Sequence, residues 1–285
     1  MSGPTTQERA GRGRLVESTM GFLGDCAGKP MFGSRQKPNN LPLEQHVVTV
    51  EDARPLRDEV SLDREGFVLA QHRSAVQNFF DPAQVRGTYM HELEELLLRL
   101  TGAAKVVASP GGVLRRSERS PGFGKDGSTV PARFAHCDYS PNPDGSSFWI
   151  ERMLPPEEAK ARLGRRYAIY NLWRALSDPP QDAPLAVCDA RSMRPGDIVW
   201  SDCIIDPPGM PELKFENVVF RHSPDHRWCY FPDMTRDEVL VFKGFDSDPG
   251  RATCVAHCAF DDPSCPDGSP PRESIDVRAF AFFDD

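Results

Sequence analysis

The spacing of apolar positions changes once along this chain. Between Phe80 and Gly102 apolar residues recur at Tyr89, Leu93, Leu96, Leu97 and Leu100, three or four apart, which is the spacing of one helix face. Phe80-Asp81-Pro82 opens this helix, and Gly102 closes it as a glycine beyond the last turn does. Short apolar and β-branched runs at 46–50, 66–70 and 105–108 predict strands. Pro155-Pro156-Glu157-Glu158 predicts a short helix, with proline in its first turn and acids at its positive end. From Arg166 onward the period is that of strands: 167–173, 185–189, 198–202, 215–222, 228–231, 239–242, 253–260 and 274–283, separated by turns of Pro, Gly, Asp and Ser. An N-terminal helical part followed by about eight short strands predicts a mainly β chain with helices (α+β), a sandwich or jelly roll with helices on one side.

Two stretches lack such a pattern. Residues 1–40 are rich in Gly, Arg, Lys, Ser and Pro and are expected to be irregular, which leaves 41–285 as one domain. Residues 109–130 read as a long loop, either a lid or a surface insertion.

Composition narrows the class. The chain has 285 residues, 39% of them hydrophobic and 27% charged, so it can bury a large core. Its net charge is −8 and it has no basic block, which argues against nucleic acid and anionic membranes as partners. No run reaches the roughly 20 apolar residues of a membrane span, and residues 1–29 contain no apolar core of a secretory signal. Eight cysteines, at 26, 137, 188, 203, 229, 254, 258 and 265, form no CxxC and sit mostly in apolar runs. That pattern predicts free thiols and a cytoplasmic protein. Oligomeric state stays open between monomer and homodimer.

The chemistry concentrates in Phe134-Ala135-His136-Cys137-Asp138-Tyr139. Read as a strand, it puts His136 and Asp138 on one face, with Cys137 on the other. An imidazole and a carboxylate side by side supply two thirds of a 2-His-1-carboxylate triad, which binds Fe(II) with positions left open. The best third ligand is His257, in the apolar run Val255-Ala256-His257-Cys258-Ala259-Phe260. His222, at a strand end, and His226, in a turn where a solvated histidine is expected, compete with it. Arg272-Glu273-Ser274 sets a guanidinium fork and a hydroxyl on one face, and a carboxylate is the natural partner of such a fork. Arg278, on the same parity, is the rival of Arg272. Asn171 and Trp173 share a strand face and, with the adjacent Arg174, are candidate pocket residues. His91 reads as a helix-surface residue, Trp228 and Tyr230 as core, and Lys243 with Asp246 as a structural ion pair.

His-x-Asp, a long β-rich interval, His and then Arg-x-Ser resembles the Fe(II)/2-oxoglutarate-dependent oxygenases. Three blocks sharpen the likeness: Asn171-Leu172-Trp173-Arg174 through Asp189-Ala190-Arg191-Ser192, Trp228-Cys229-Tyr230-Phe231-Pro232-Asp233 through Phe245-Asp246-Ser247, and His257-Cys258-Ala259-Phe260-Asp261-Asp262-Pro263 with Pro271-Arg272-Glu273-Ser274-Ile275-Asp276-Val277-Arg278. From about residue 46 onward the chain resembles the fungal and bacterial hydroxylase/desaturase family related to the cephem 7α-methoxylase component and the aspergillic-acid-type hydroxylases. The resemblance implies a double-stranded β-helix, which is a jelly roll of the cupin type. It implies Fe(II) held by His136, Asp138 and His257, 2-oxoglutarate held through its distal carboxylate by Arg272 and Ser274, and O₂ as oxidant. It implies tailoring of a small secondary metabolite or amino-acid-derived substrate by C–H abstraction, with hydroxylation, desaturation or ring closure such as aziridine formation as outcome. Two other classes fit the residues without the resemblance: a cupin-type metal enzyme that uses no 2-oxoglutarate, and a jelly-roll binding protein without catalysis.

Overall fold

The computed structural model describes residues 13–33, 39–124, 128–140, 143–205 and 212–284. Its fifteen strands are β1 (Leu15–Leu23), β2 (Met31–Phe32), β3 (Leu43–Asp52), β4 (Phe67–Gln71), β5 (Lys105–Ala108), β6 (Val113–Arg116), β7 (His136–Cys137), β8 (Tyr167–Ala175), β9 (Leu185–Cys188), β10 (Ile198–Ile205), β11 (Leu213–Phe220), β12 (Trp228–Tyr230), β13 (Glu238–Asp246), β14 (His257–Ala259) and β15 (Glu273–Phe282). They form two sheets. The larger has the order β1-β3-β12-β9-β14-β7-β11-β10-β2 and the smaller β4-β13-β8-β15-β5, with β6 pairing to β15 beside β5.

Alternation within single strands decides what each face meets. On β8 and β15, Tyr170, Leu172, Ile275, Val277, Ala279 and Ala281 pack outward against Met90, Leu93, Leu96 and Leu97 of the helical run. The opposite face of the small sheet, with Phe67, Leu69, Trp173, Leu240 and Phe242, packs against Val187, Cys229 and Val255 from the large-sheet side. The site lies in this second layer, between the sheets.

The helix read from the apolar spacing is present from Pro82 through Thr101. The Asp81 carboxylate accepts from the Ala83 N–H at its start, and Gly102 ends it at φ 67°, a left-handed conformation that favours glycine. Leu100, part of the expected apolar face, is 40% exposed. Trp228 and Tyr230 are core residues. Lys243 donates to Asp246 at 2.7 Å with both side chains fully buried, as expected of the pair, and also to Asp63 at 3.0 Å. His91 lies on the exposed helix surface beside Glu94.

Four expectations are corrected. Residues 15–23 are not irregular but form β1, antiparallel to β3 along its whole length. Glu17, Ser18, Thr19 and Gly21 dilute the apolar signal, and pairing with β3 overrides it; residues 1–12 and 34–38 lie outside the described residues. The chain before Gly102 is not a helical part, because β1, β3 and β4 supply strands to both sheets. The 109–130 stretch is not loop throughout: β6 pairs with β15, and Thr129 bridges back to Arg115, while 125–127 lie outside the described residues. The 253–260 run narrows to β14, because the Val255 N–H donates to the Lys243 carbonyl instead of extending a ladder. A helix over Pro143–Met153, with no clean apolar period, was not expected at all.

Gly112 lets β6 dock. A Cβ there would lie 2.5 Å from Cγ1 of Ile275 and 2.6 Å from its Cδ1 on β15. Gly112→Ala is expected to force β6 off β15 at a cost of about 1–3 kcal/mol, the range of core overpacking, read as a lower denaturant midpoint. All eight cysteines are free, six of them buried. Thiol titration of denatured, unreduced protein is expected to count eight; fewer would reveal a disulfide.

Candidate active site

β7 and β14 are neighbours in the large sheet, and His136 stands directly opposite His257. Cross-strand partners share a face, and the ring centroids are 4.2 Å apart. Each ring is oriented from behind. The His136 Nδ1 lies 2.9 Å from the Phe134 carbonyl oxygen and the His257 Nδ1 lies 3.4 Å from that of Val255. A carbonyl can only accept, so both Nδ1 atoms carry the proton and donate it. That leaves the two Nε2 lone pairs turned toward Asp138. Asp138 Oδ1 is 3.9 Å from His136 Nε2, and Asp138 Oδ2 is 4.0 Å from His257 Nε2. The ligand atoms of the three residues all lie within 4.8 Å of one another, the one such His/Cys/Asp/Glu group among the described residues.

Their charge states suit a cation. Burial pushes both imidazoles down, His257 to about 3 with His136 adding to the effect, so both are neutral donors. Burial works against the Asp138 carboxylate, but Arg278 beside it holds it well below the usual range. Asp138 Oδ2 takes hydrogen bonds from Arg278 Nη2 at 2.8 Å, Arg278 Nε at 3.2 Å and Asn171 Nδ2 at 2.6 Å. One oxygen is thus saturated, and Oδ1 keeps its lone pairs. Asn171 Nδ2 also donates to Asp276 Oδ2 at 3.1 Å, and Arg278 Nη2 lies 3.3 Å from the same oxygen. Burial, with Asp138 nearby, pushes Asp276 up to about 6 against the pull of Arg278.

Arg272 is the second feature. It is 1% exposed. Its Nε and Nη2 donate to Ser274 Oγ at 3.2 and 3.1 Å, its Nη1 to the Ala183 carbonyl at 2.8 Å, and its guanidinium sits 5.0 Å from the Trp173 ring. Among the described residues no carboxylate lies within ion-pair distance of it. Burial lowers its pKa to about 9, and Arg115 and Arg133 add to the effect. Among the described residues the Ser274 hydroxyl only accepts, from Arg272, and the buried Trp173 Nε1–H has no partner. A buried cation with two idle donors beside it has the chemistry to complement an anion with several acceptor oxygens.

The other sequence candidates sort by strand parity. Asn171 and Trp173 face the site. Arg174, one residue on, faces away: fully buried on the helix side, it donates to the Tyr89 hydroxyl at 2.9 Å, to the His72 carbonyl at 3.1 Å and to the Arg236 carbonyl. Its expected place in the pocket is corrected by the period-2 alternation of β8. Arg278 serves Asp138 and Asp276 rather than standing in for Arg272. His222 stacks on His46 at 4.1 Å in a separate cluster with Phe22. His226 is not solvated: its side chain is buried and its Nε2 lies 3.1 Å from Asp197. Asp276 and Arg115 had not been singled out. Asp276-x-Arg278 was the available signal, a same-face pair of opposite charge two residues beyond Ser274.

This geometry has known relatives. A family model described as "Oxidoreductase/YMDC permease-like domain" matches residues 26–282. The chain is 32% identical to "Fe(II)/2-oxoglutarate-dependent dioxygenase nvfI" of Aspergillus novofumigatus, over 87% of each chain. It is 34% identical to "Hydroxylase/desaturase CTB9" of Cercospora beticola, over 85% of this chain and 78% of that one. The solved structure "iron and alpha-ketoglutarate-dependent endoperoxidase NvfI" superposes with a TM-score of 0.81 at 30% identity, covering 94% of this chain and 98% of that one. The chain belongs to the Fe(II)/2-oxoglutarate-dependent dioxygenase family that includes these hydroxylase/desaturases, with Fe(II), 2-oxoglutarate and O₂ as its cofactors and a jelly-roll fold.

The histidines predict a pH dependence. His257 has an ordinary value of 6.5 when unfolded and about 3 when folded. The unfolded chain therefore binds the extra proton first, and the metal-free protein loses this share of its stability as pH falls from about 6.5 toward 3. Denaturant midpoints of metal-free wild type and His257→Gln, measured between about pH 7 and 4, are expected to show a shallower decline in the variant. Parallel declines would mean that His257 titrates normally.

Proposed function

We propose that His136, Asp138 and His257 hold Fe(II) through two Nε2 atoms and Oδ1, and that Arg272 and Ser274 hold the distal carboxylate of 2-oxoglutarate. One observation carries this reading: three converging donor atoms and a buried guanidinium without a carboxylate lie in the same layer between the sheets. The donor set suits Fe(II), being two neutral imidazoles and one carboxylate with room left on the open side. The Asp138 side chain is 18% exposed.

Bound iron, with 2-oxoglutarate and O₂, supplies an oxidant able to take a hydrogen atom from an unactivated C–H bond, leaving succinate and CO₂. The protein's share is positioning. The carbonyls of Phe134 and Val255 fix the imidazole tautomers. Arg278 and Asn171 fix the carboxylate and keep it ionised. Arg272 and Ser274 present fork and hydroxyl to a carboxylate in a setting with little water to compete, and Trp173 covers one face of the fork. Asn171 and Trp173 line the same face and bound the space for substrate. That substrate is a small secondary metabolite or amino-acid-derived compound, tailored by hydroxylation, desaturation or ring closure. Residues 41–285 act as one jelly-roll domain, with β1 completing its large sheet. The free thiols support a cytoplasmic protein, and the acidic balance of the chain supports a small-molecule partner over nucleic acid or anionic membrane.

Two measurements test this. Titration of metal-free protein with Fe(II) under anaerobic conditions, followed by calorimetry, is expected to show one site, lost in His136→Ala, Asp138→Ala and His257→Ala. Full affinity in His257→Ala, with loss in a His222 or His226 variant, would move the third ligand. In Arg272→Ala, an anionic cosubstrate loses its buried partner, at about 2–5 kcal/mol. The 2-oxoglutarate requirement is then expected to rise roughly 30- to several-thousand-fold at about 1.4 kcal/mol per decade, with iron content retained. Lysine at 272 is expected to recover part of it, since it keeps the charge but not the planar fork. Turnover that needs no 2-oxoglutarate would favour a cupin-type enzyme, and absence of metal binding a binding protein.

A further inference from the structure

Arg115 is a charged residue at this site with no assigned task. It lies on β6, directly across from Ser274 on β15, so its side chain leaves on the face that carries Arg272, Ser274, Asp276 and Arg278. The close fit of Gly112 against Ile275 sets that placement. Arg115 Nη1 donates to the Val130 carbonyl at 2.9 Å and to Thr129 Oγ1 at 3.2 Å. These bonds hold the guanidinium in place and neutralise none of its charge. Among the described residues no carboxylate pairs with it, and its Nε and Nη2 protons have no acceptor.

Arg115 is half-buried. The side chain keeps solvent-accessible surface. Burial nonetheless pushes its pKa down, Arg278 adding to the effect and Asp138 and Asp276 opposing it. What places it at the site is the strand register, which sets it across from Ser274 on the face of Arg272 and Arg278. Its two neighbours of like charge are already engaged. Arg278 is paired with Asp138 and Asp276, and Arg272 is the receptor for the cosubstrate. Among the described residues, the guanidiniums of Arg115, Arg272 and Arg278 stand on this face with the carboxylates of Asp138 and Asp276, three against two. Fe(II) and 2-oxoglutarate carry opposite charges of equal size, so loading the site leaves one positive charge in place. An uncompensated buried or half-buried charge is costly, and an anion that neutralises it binds preferentially.

We infer that Arg115 selects the substrate, and that the substrate is a carboxylic acid bound as a monoanion, its carboxylate on the free Nε and Nη2 edge of Arg115. This rests on the reading of Arg272 as the 2-oxoglutarate receptor. A carboxylate anchored there places the carbon skeleton between Arg115 and the open side of Asp138, so the acid serves as a handle while a C–H bond elsewhere is presented to the metal. Thr129 and Val130 are positioning residues: they aim the fork and do not touch the substrate.

The test uses anaerobic holoenzyme loaded with Fe(II) and 2-oxoglutarate. The probes are N-acetyl amino acids with uncharged side chains, a set of aliphatic and aromatic monocarboxylic acids, and the methyl ester of each. Binding is read by saturation-transfer NMR, with dissociation constants for the hits. Wild type is expected to bind at least one acid about tenfold or more tightly than its ester, as loss of a charge-assisted pair requires. Arg115→Gln is expected to bring acid and ester within about twofold, and Arg115→Lys to retain part of the preference, with thermal melting confirming that both variants fold. If no acid in the set binds better than its ester, or if Arg115→Gln keeps the preference, the inference fails. Titration with 2-oxoglutarate separates this failure from that of the underlying reading. If Arg115→Gln loses 2-oxoglutarate instead of the acid, Arg115 belongs to the cosubstrate and the inference is overturned while the function stands. If wild type binds no 2-oxoglutarate, the function itself is overturned.

Discussion

The site depends on how one carboxylate is kept ionised in a crowded layer. Asp138 has to remain charged to be a metal ligand, and burial opposes that charge. Arg278 and Asn171 resolve the conflict by loading Oδ2 with three hydrogen bonds and leaving Oδ1 open. Their own positions are fixed by the small sheet, where Arg278 on β15 is the direct cross-strand partner of Asn171 on β8. A carboxylate just beyond β7 of the large sheet is thus oriented by a pair on the small one. Without the two-sheet packing, Asp138 would be an ordinary carboxylate beside a histidine.

β15 organises the rest. Its outward face is apolar and buries Ile275, Val277, Ala279 and Ala281 against the helix. Its inward face carries Ser274, Asp276 and Arg278, with Arg272 just before the strand begins. A strand with such faces is specified in register, because a slip of one residue would bury the charges under the helix. The stability requirement and the functional requirement therefore act on the same alternation. Gly112 extends this order to β6, and with it to Arg115.

Cation placement on this face follows a division of labour. Arg278 is balanced by carboxylates and is structural in effect. Arg272 is buried, unbalanced and flanked by idle donors. Arg115 is unbalanced and wetted. Three residues of one type differ only in depth and in neighbours, and those differences set what each can bind. The same reasoning removes Arg174, whose fork is used up by Tyr89 and by the carbonyls of His72 and Arg236 on the far face.

What the sequence determined by itself was everything that a local period encodes. The two-residue spacing of His136 with Asp138 and of Arg272 with Ser274 marks each pair as neighbours, although β7 ends at Cys137 and β15 begins at Glu273, so one member of each pair lies just outside its strand. The helical spacing through Leu97 and the stop at Gly102 are equally local, and the same two-residue rule already sets Arg174 against Trp173. Only the tertiary structure decided which separate strands meet. The sequence ranks His257 above His222 and His226, but that β14 lies beside β7 and brings His257 opposite His136 is contained in no spacing along the chain. The Arg278–Asp138–Asn171–Asp276 cluster joins residues as much as 140 positions apart. β1 is a strand because β3 pairs with it, despite a polar sequence that gives weak local preference. The physical reason is the same in each case: side-chain direction is set by neighbouring dihedrals, whereas charge balance and strand pairing are set by contacts that exist only once the chain has closed on itself.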